Sequence, residues 1–416
     1  MDTWVDVKKC SALLGSPAVA SPASIHPQVR LIVGRVMSRA QDHHQHAAQG
    51  TAQILAQIQI TAEIAQRRAH LFLNPSTFIV GQSPEGLALG DFNGDGHLDV
   101  VTANYNGQSV SLLLGTGSGT FQPQRVFGIP GTGLRCVAVG DFNEDGSLDF
   151  VVAAQNNSTV ILMFGTGTGN FLTQSVFPVA NGPRDIKVGD FNEDGHLDIA
   201  IADAGVRKVS VLLGTGTGSF QTERTFNVGI SPTSLAVGDF NEDGHLDIID
   251  VDGSDFTISV LLGTGLGTFQ PRTVFPVGVL PIGIATGDFN ADGHLDIAVA
   301  NSGDNTVSIL LGTGSGSFQP QTTFSAGNTT FGIAAADFNR DGILDLVVTD
   351  ISFGTVDVLL GNGDGTFRPP SIFSVAGSTP WQVSVGDMNE DGLVDIVTVN
   401  QGSNTASVLL GAACLV

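Results

Sequence analysis

This chain is poor in the residues that would place it in several common classes. It has three cysteines in 416 residues, Cys10, Cys136 and Cys414, too few and too scattered for a disulfide framework. Lysine and arginine number 17 against 40 aspartates and glutamates, a formal charge of −23. A surface of that sign repels nucleic acid and anionic membranes and attracts cations, so no nucleic-acid partner is expected. No apolar run approaches the roughly 18 residues that a membrane span needs. Tyrosine occurs once and tryptophan twice. No histidine, carboxylate and nucleophile are marked out as a catalytic set, and the chain is not expected to be an enzyme. The "GTGTG" stretches lack the lysine and the helical pattern of a phosphate-cradling loop and read as tight turns.

What is abundant is glycine, 54 residues beside a hydrophobic fraction of 42%. That pairing describes a folded chain punctuated by turns rather than a disordered one. The glycines repeat in step. The stretch "DFNGDGHLD", Asp91 to Asp99, recurs with starts at Asp141, Asp190, Asp239, Asp288, Asp337 and Asp387, at intervals of 49 or 50 residues. Each of the first six copies is followed by a version of "LLGTGxGxF", and then by two phenylalanines six apart, from Phe121/Phe127 to Phe367/Phe373.

One period reads as four short strands. "LRCVAVGDF" alternates apolar and small residues, "LDFVVAA" is nearly all apolar, "VILMFG" is a third run, and "FLTQSVF" is more polar, as suits an outer edge. Four strands in about 49 residues form one propeller blade, which cannot bury both faces alone and must stack on neighbours. The array is split at its ends. After the seventh copy no fourth strand follows "VLLGAACLV", whereas Phe72 and Phe78, again six apart, precede the first copy. The expected fold is therefore all-β: a seven-bladed β-propeller over residues 71–416, closed by residues 72–79 supplying the outer strand of the seventh blade. Residues 1–70 read as a short extension, helical or disordered, with a poor secretory signal at its start.

The nine-residue loop joins the first and second strands of each blade. Position 1 is Asp91, Asp141, Asp190, Asp239, Asp288, Asp337 or Asp387. Position 3 is Asn93, Asn143, Asn192, Asn241, Asn290, Asn339 or Asn389. Position 5 is Asp95, Asp145, Asp194, Asp243, Asp292, Asp341 or Asp391, and position 9 is Asp99, Asp149, Asp198, Asp247, Asp296, Asp345 or Asp395. Position 7, which offers its backbone carbonyl, is His97, Ser147, His196, His245, His294, Ile343 or Leu393. One copy fits a solvated turn as well as a metal cage. Seven copies in register, each crowding three carboxylates, favour a cation. Hard oxygens in a flexible loop suit calcium better than magnesium, so up to seven Ca2+ ions are expected. The four histidines sit one per blade and cannot converge on a metal; their side chains are expected to face solvent.

"DFNGDGHLDVVTAN" followed by "SLLLGTGSGTF" resembles the FG-GAP, or VCBS-type, repeat of bacterial extracellular proteins, which also builds the propeller of integrin alpha subunits. The resemblance covers about residues 72–416. It implies a seven-bladed propeller with calcium in the loops between strands 1 and 2, and an extracellular or cell-surface role in adhesion, recognition or scaffolding. Calcium cages of extracellular modules bind at about 10⁻⁴–10⁻³ M, far above cytosolic calcium, which agrees with that placement. A monomer is expected.

Within the chain the loop face is monotonous and the other face varied. On the varied face stand Tyr105, Arg135, Arg184, Arg207, Phe331 and Trp381, the candidates for binding a protein or glycan ligand. Drift among unconstrained loops is the plain alternative. A carbohydrate-binding lectin or a polysaccharide-active propeller enzyme is the rival function. Asp250 interrupts the apolar "LDIIDV", and Cys136 reads as a small buried hydrophobe.

Overall fold

The computed structural model describes residues 71–412, and these form seven sheets of four antiparallel strands. The first blade is β2 (Pro84–Gly90), β3 (Asp99–Asn104), β4 (Ser109–Leu113) and β5 (Arg125–Gly128), from inside to outside. The inner strands of the other blades are β6 (Leu134–Gly140), β10 (Pro183–Gly189), β14 (Pro232–Gly238), β18 (Pro281–Gly287), β22 (Thr330–Ala336) and β26 (Pro380–Gly386). Each inner strand packs beside those of the two adjacent blades, and β26 returns to β2. The extension expected over residues 1–70, Cys10 and Cys414 lie outside the described residues.

Burial follows the sequence pattern. All six residues of β3 are buried, because its alternate side chains serve two different neighbours: Val101 packs in a core shared with the second blade, Val100 in one shared with the seventh. Outer strand β5 alternates between partly buried and exposed residues. The phenylalanine pairs tie blade to blade. Phe171 of the second blade meets Phe92 and Phe127 of the first edge-on, with ring centroids 5.8 and 5.0 Å apart, a favourable aromatic geometry.

The ring closes as the split repeat predicts. Strand β1 (Ser76–Ile79) pairs antiparallel with β28 (Thr405–Leu409) and completes the seventh sheet in the order β1-β28-β27-β26, where β27 is Asp395–Asn400. Phe72 bridges to Gly411 and packs edge-on against Phe338 and Phe373, at 5.6 and 5.2 Å. It fills the place that Phe367 fills one blade earlier, against Phe289 and Phe324.

Candidate functional site

Each inner strand has a distinctive feature at either end. At its C-terminal end is the acidic loop. In the first blade the chain curls round Asp91: Oδ1 accepts the amides of Gly94 (2.7 Å) and Asp95 (3.2 Å), and Oδ2 that of Gly96 (2.8 Å). Gly96 has φ +86°, a left-handed conformation that glycine adopts without steric cost. Asp95 accepts the amide of His97 (3.0 Å) and the side-chain amide of Asn93 (2.8 Å). Asp99 is fully buried; Oδ2 accepts from Phe92 N (2.8 Å) and Oδ1 from Gly115 N (2.7 Å).

The last contact explains why two motifs travel together. Gly115 belongs to the "LLG" of the third strand's end, and a Cβ there would stand 2.2 Å from the carbonyl oxygen of Leu98. The pairing of closing aspartate with this glycine recurs in every blade, at Gly165, Gly214, Gly263, Gly312, Gly361 and Gly411. Burial pushes the Asp99 carboxyl up to about 6; the two amides oppose that, and the charges of Asp95 and Asp91 add to it. Asp149, Asp198, Asp247 and Asp395 are likewise raised to about 6, and Asp345 to about 7.

Among the described residues, no three His, Cys, Asp or Glu side chains converge closely enough to constitute a metal site by themselves. Each loop carries three carboxylates, an Asn oxygen and a position-7 carbonyl within nine residues, with the closing carboxylate turned toward the two amides. The donors are all hard oxygens, the set that suits calcium. The histidines at position 7 do not simply face solvent. His97 pairs with Glu390, His196 with Glu144, His245 with Glu193 and His294 with Glu242, each glutamate lying at loop position 4 of the preceding blade. The pairing holds each imidazole pKa above its ordinary value. In the sixth blade Arg340 reaches across instead, donating to Gly392 O at 2.8 Å.

At the N-terminal end of each inner strand is a β-bulge. The ladder between first and second strands slips in all seven blades, between Pro84 and Gly86 in the first and at the matching residues in the rest. A bulged residue makes no ladder pair and is re-aimed. The bulged positions lie six residues before each loop: Glu85, Arg135, Arg184, Thr233, Ile282, Phe331 and Trp381. All seven line one cavity of about 430 Å³ at the centre of the ring. Two residues further on, every blade has Leu, Ile or Val. The bulged position thus varies from charged to aromatic while the position two residues on stays aliphatic.

The cavity mouth is two-sided. Arg135 Nη1 donates to Glu85 Oε2 at 2.6 Å, its Nε donates to Gln155, and its guanidinium lies 4.7 Å from the centroid of the Tyr105 ring, within cation–π range. Glu85 also accepts from Gln401 at 2.6 Å. Deeper in, Asp185 accepts from Lys187, Ser234, Cys136 and the amide of Leu235. Across the ring, Phe331 and Trp381 stack at a tilt with centroids 4.2 Å apart. Five of the six residues expected to bind ligand are therefore brought to this mouth or its rim. Arg207 is not; it sits on an exposed turn with φ +56°. Glu85, Asp185 and Lys187 escaped the sequence reading, although aligning the seven repeats on their loops would have found Glu85.

These features define a closed seven-bladed β-propeller with an acidic loop in every blade and a variable central mouth. The FG-GAP-like repeat model matches residues 91–152, 141–201, 190–249, 288–348 and 337–398, and the chain belongs to that family. No curated protein matches the sequence. Similar solved structures include a streptogramin B lyase (TM-score 0.57, 14% identity, covering 82% of this chain and 98% of that one). Virginiamycin B lyase from Staphylococcus aureus gives 0.57 and 13%, covering 81% and 99%. A lectin from Agrocybe aegerita that recognises non-reducing terminal N-acetylglucosamine gives 0.51 and 18%, covering 78% and 87%. At such identities the likeness is one of fold. No helix among the described residues is long and apolar enough to cross a membrane.

Proposed function

We propose that this chain is a calcium-stabilised recognition scaffold, acting outside the cell as a monomer, whose central mouth binds a protein or glycan ligand. One observation carries the calcium reading. Seven loops each place three aspartates within nine residues, and among the described residues no lysine, arginine or histidine lies within ion-pair distance of any of them. Carboxylates so placed repel one another until a cation joins them. In each loop the ligands would be positions 1, 3, 5 and 9 with the carbonyl of position 7. Bound calcium would pin the turn between the two inner strands and leave chemistry at the mouth untouched, about 20 Å away along six residues of strand.

Calcium at ten times its dissociation constant contributes about 1.4 kcal/mol per independent site. Seven sites together amount to roughly 10 kcal/mol, comparable with the net stability of a whole domain. The test is a thermal melt in excess EGTA and in millimolar calcium, with bound metal counted on the same sample. A large calcium-dependent rise with close to seven ions supports the reading; no shift and no bound calcium would sink it. The stacked Phe331–Trp381 pair favours a second reading, a lectin or a polysaccharide-active enzyme, because sugar rings pack on such faces. Product release from a panel of polysaccharides, abolished by Trp381→Ala with an unchanged melt, would establish the enzyme over the scaffold.

A further inference from the structure

Arg184 is a cation that the fold leaves uncompensated. It is half-buried in the mouth, yet among the described residues it has neither an ion-pair nor a hydrogen-bond partner. The neighbouring carboxylates cannot serve it. Both oxygens of Glu85 are taken, by Arg135 and Gln401. Both oxygens of Asp185 are taken, by Cys136, Lys187, Ser234 and backbone amides. Arg135 is already committed to Glu85, Gln155 and Tyr105. Burial, then the repulsion of Arg135, pulls the Arg184 pKa down to about 10 against the attraction of Glu85 and Asp185. The lining holds three cations, Arg135, Arg184 and Lys187, against two carboxylates, Glu85 and Asp185, and so is short of one negative charge. A guanidinium offers five donors in a planar fork that matches a carboxylate.

The rest of the mouth limits what carries that carboxylate. The charged residues lie on three consecutive blades, and Ile282, Phe331 and Trp381 lie on three consecutive blades across the ring. A bare anion would leave the aromatic side unused, and an apolar ligand would leave Arg184 unpaired. Resting on the glycan arm of the proposed function, we propose that the mouth binds an acidic sugar, its carboxylate paired with Arg184 and its ring face packed on Trp381 and Phe331.

The test titrates the full chain in calcium with trigalacturonate, with maltotriose as the neutral trisaccharide and with sodium acetate as the bare anion. The expected result is saturable binding of trigalacturonate that weakens with salt, with maltotriose and acetate at least tenfold weaker. Arg184→Gln should lose about tenfold or more in affinity, as charge-assisted pairs require, while Trp381→Ala weakens binding without removing its salt dependence. Arg184→Gln should keep the parent melt, since among the described residues Arg184 has no partner, whereas Trp381→Ala loses the contact with Phe331 and is titrated only after its own melt shows it folded. Equal binding of maltotriose, lost in Trp381→Ala, would overturn the acidic class and leave a neutral lectin. Acetate binding as tightly as the trisaccharide would overturn the sugar and leave an anion site. No binding of any of the three would overturn the inference, while the calcium melt judges the scaffold separately. An unchanged affinity in Arg184→Gln overturns the pairing itself.

Discussion

Asp250 should destabilise the protein that contains it. It lies in the second strand of the fourth blade, fully buried, and neither carboxyl oxygen has a hydrogen-bond partner among the described residues. The equivalent residue elsewhere is Val152, Ile201, Val299 or Val348, or a threonine, Thr102 or Thr398, whose hydroxyl donates to the asparagine two residues on. Burial, followed by the charge of Asp252, pushes the Asp250 pKa well above its ordinary value. The unfolded carboxyl ionises near pH 4. Above that pH folding must take up a proton, so the parent's stability falls as pH rises toward the native pKa.

Asp250→Val should therefore stabilise. An unsatisfied buried polar group costs about 1–3 kcal/mol, and a buried valine adds apolar contact of about 1.5 kcal/mol. A gain of roughly 2 kcal/mol or more at pH 7.5 is expected. The assay is urea unfolding in saturating calcium between pH 4.5 and 8, read as midpoint at constant slope. The difference between variant and parent should be smallest at pH 4.5, widen with pH, and level off above the native pKa. Asp250→Asn removes the titration but keeps a polar group, so its smaller gain should also grow with pH relative to the parent. A destabilised Asp250→Val, or a gain independent of pH, would refute the reasoning.

Two further substitutions probe the polar network and the closing aspartate. In the third blade Asp203, Ser210 and Glu223 stand where the first and fifth have Asn104–Ser111–Gln124 and Asn301–Ser308–Gln321. Burial raises Asp203 to about 7, so Asp203→Asn should stabilise by an amount that grows from pH 4 to about pH 7 and is flat above; equal melts at pH 4.5 and pH 8 would contradict this. Gly115→Ala forces a Cβ against Leu98 O and should cost about 1–3 kcal/mol, with one fewer calcium ion bound if the amide of Gly115 orients Asp99 for the metal.

The legible parts of this molecule were those that repeat. Strand order, the loops and the closure by residues 72–79 follow from seven copies in register, because each apolar second strand must supply two neighbouring cores at once. Contacts one repeat apart were not legible. The pairing of His97 with Glu390 joins residues from the first and seventh blades, and a histidine in a polar loop carries no local sign of its partner. The amides that hold Asp99 come from Phe92 and Gly115, seven and sixteen residues away; only the coordinates show that one carboxylate serves both motifs. Arg207 and Arg184 look alike as varied-face cations in sequence. The bulge sends Arg184 into the mouth, and the turn leaves Arg207 outside it.

The bulge also separates what mutation can alter from what it must preserve. Arg184, which among the described residues has no partner, can change and rewrite one sector of the mouth alone, whereas Glu85 and Thr233, which hydrogen-bond to neighbouring blades, cannot change without altering blade contacts. The lining of the mouth and the anchoring of the acidic loop thus fall at opposite ends of the same strand. Each blade thus presents the mouth with a short group of adjacent residues, such as Arg184, Asp185 and Lys187 in the third blade, on a frame that the acidic loops repeat unchanged.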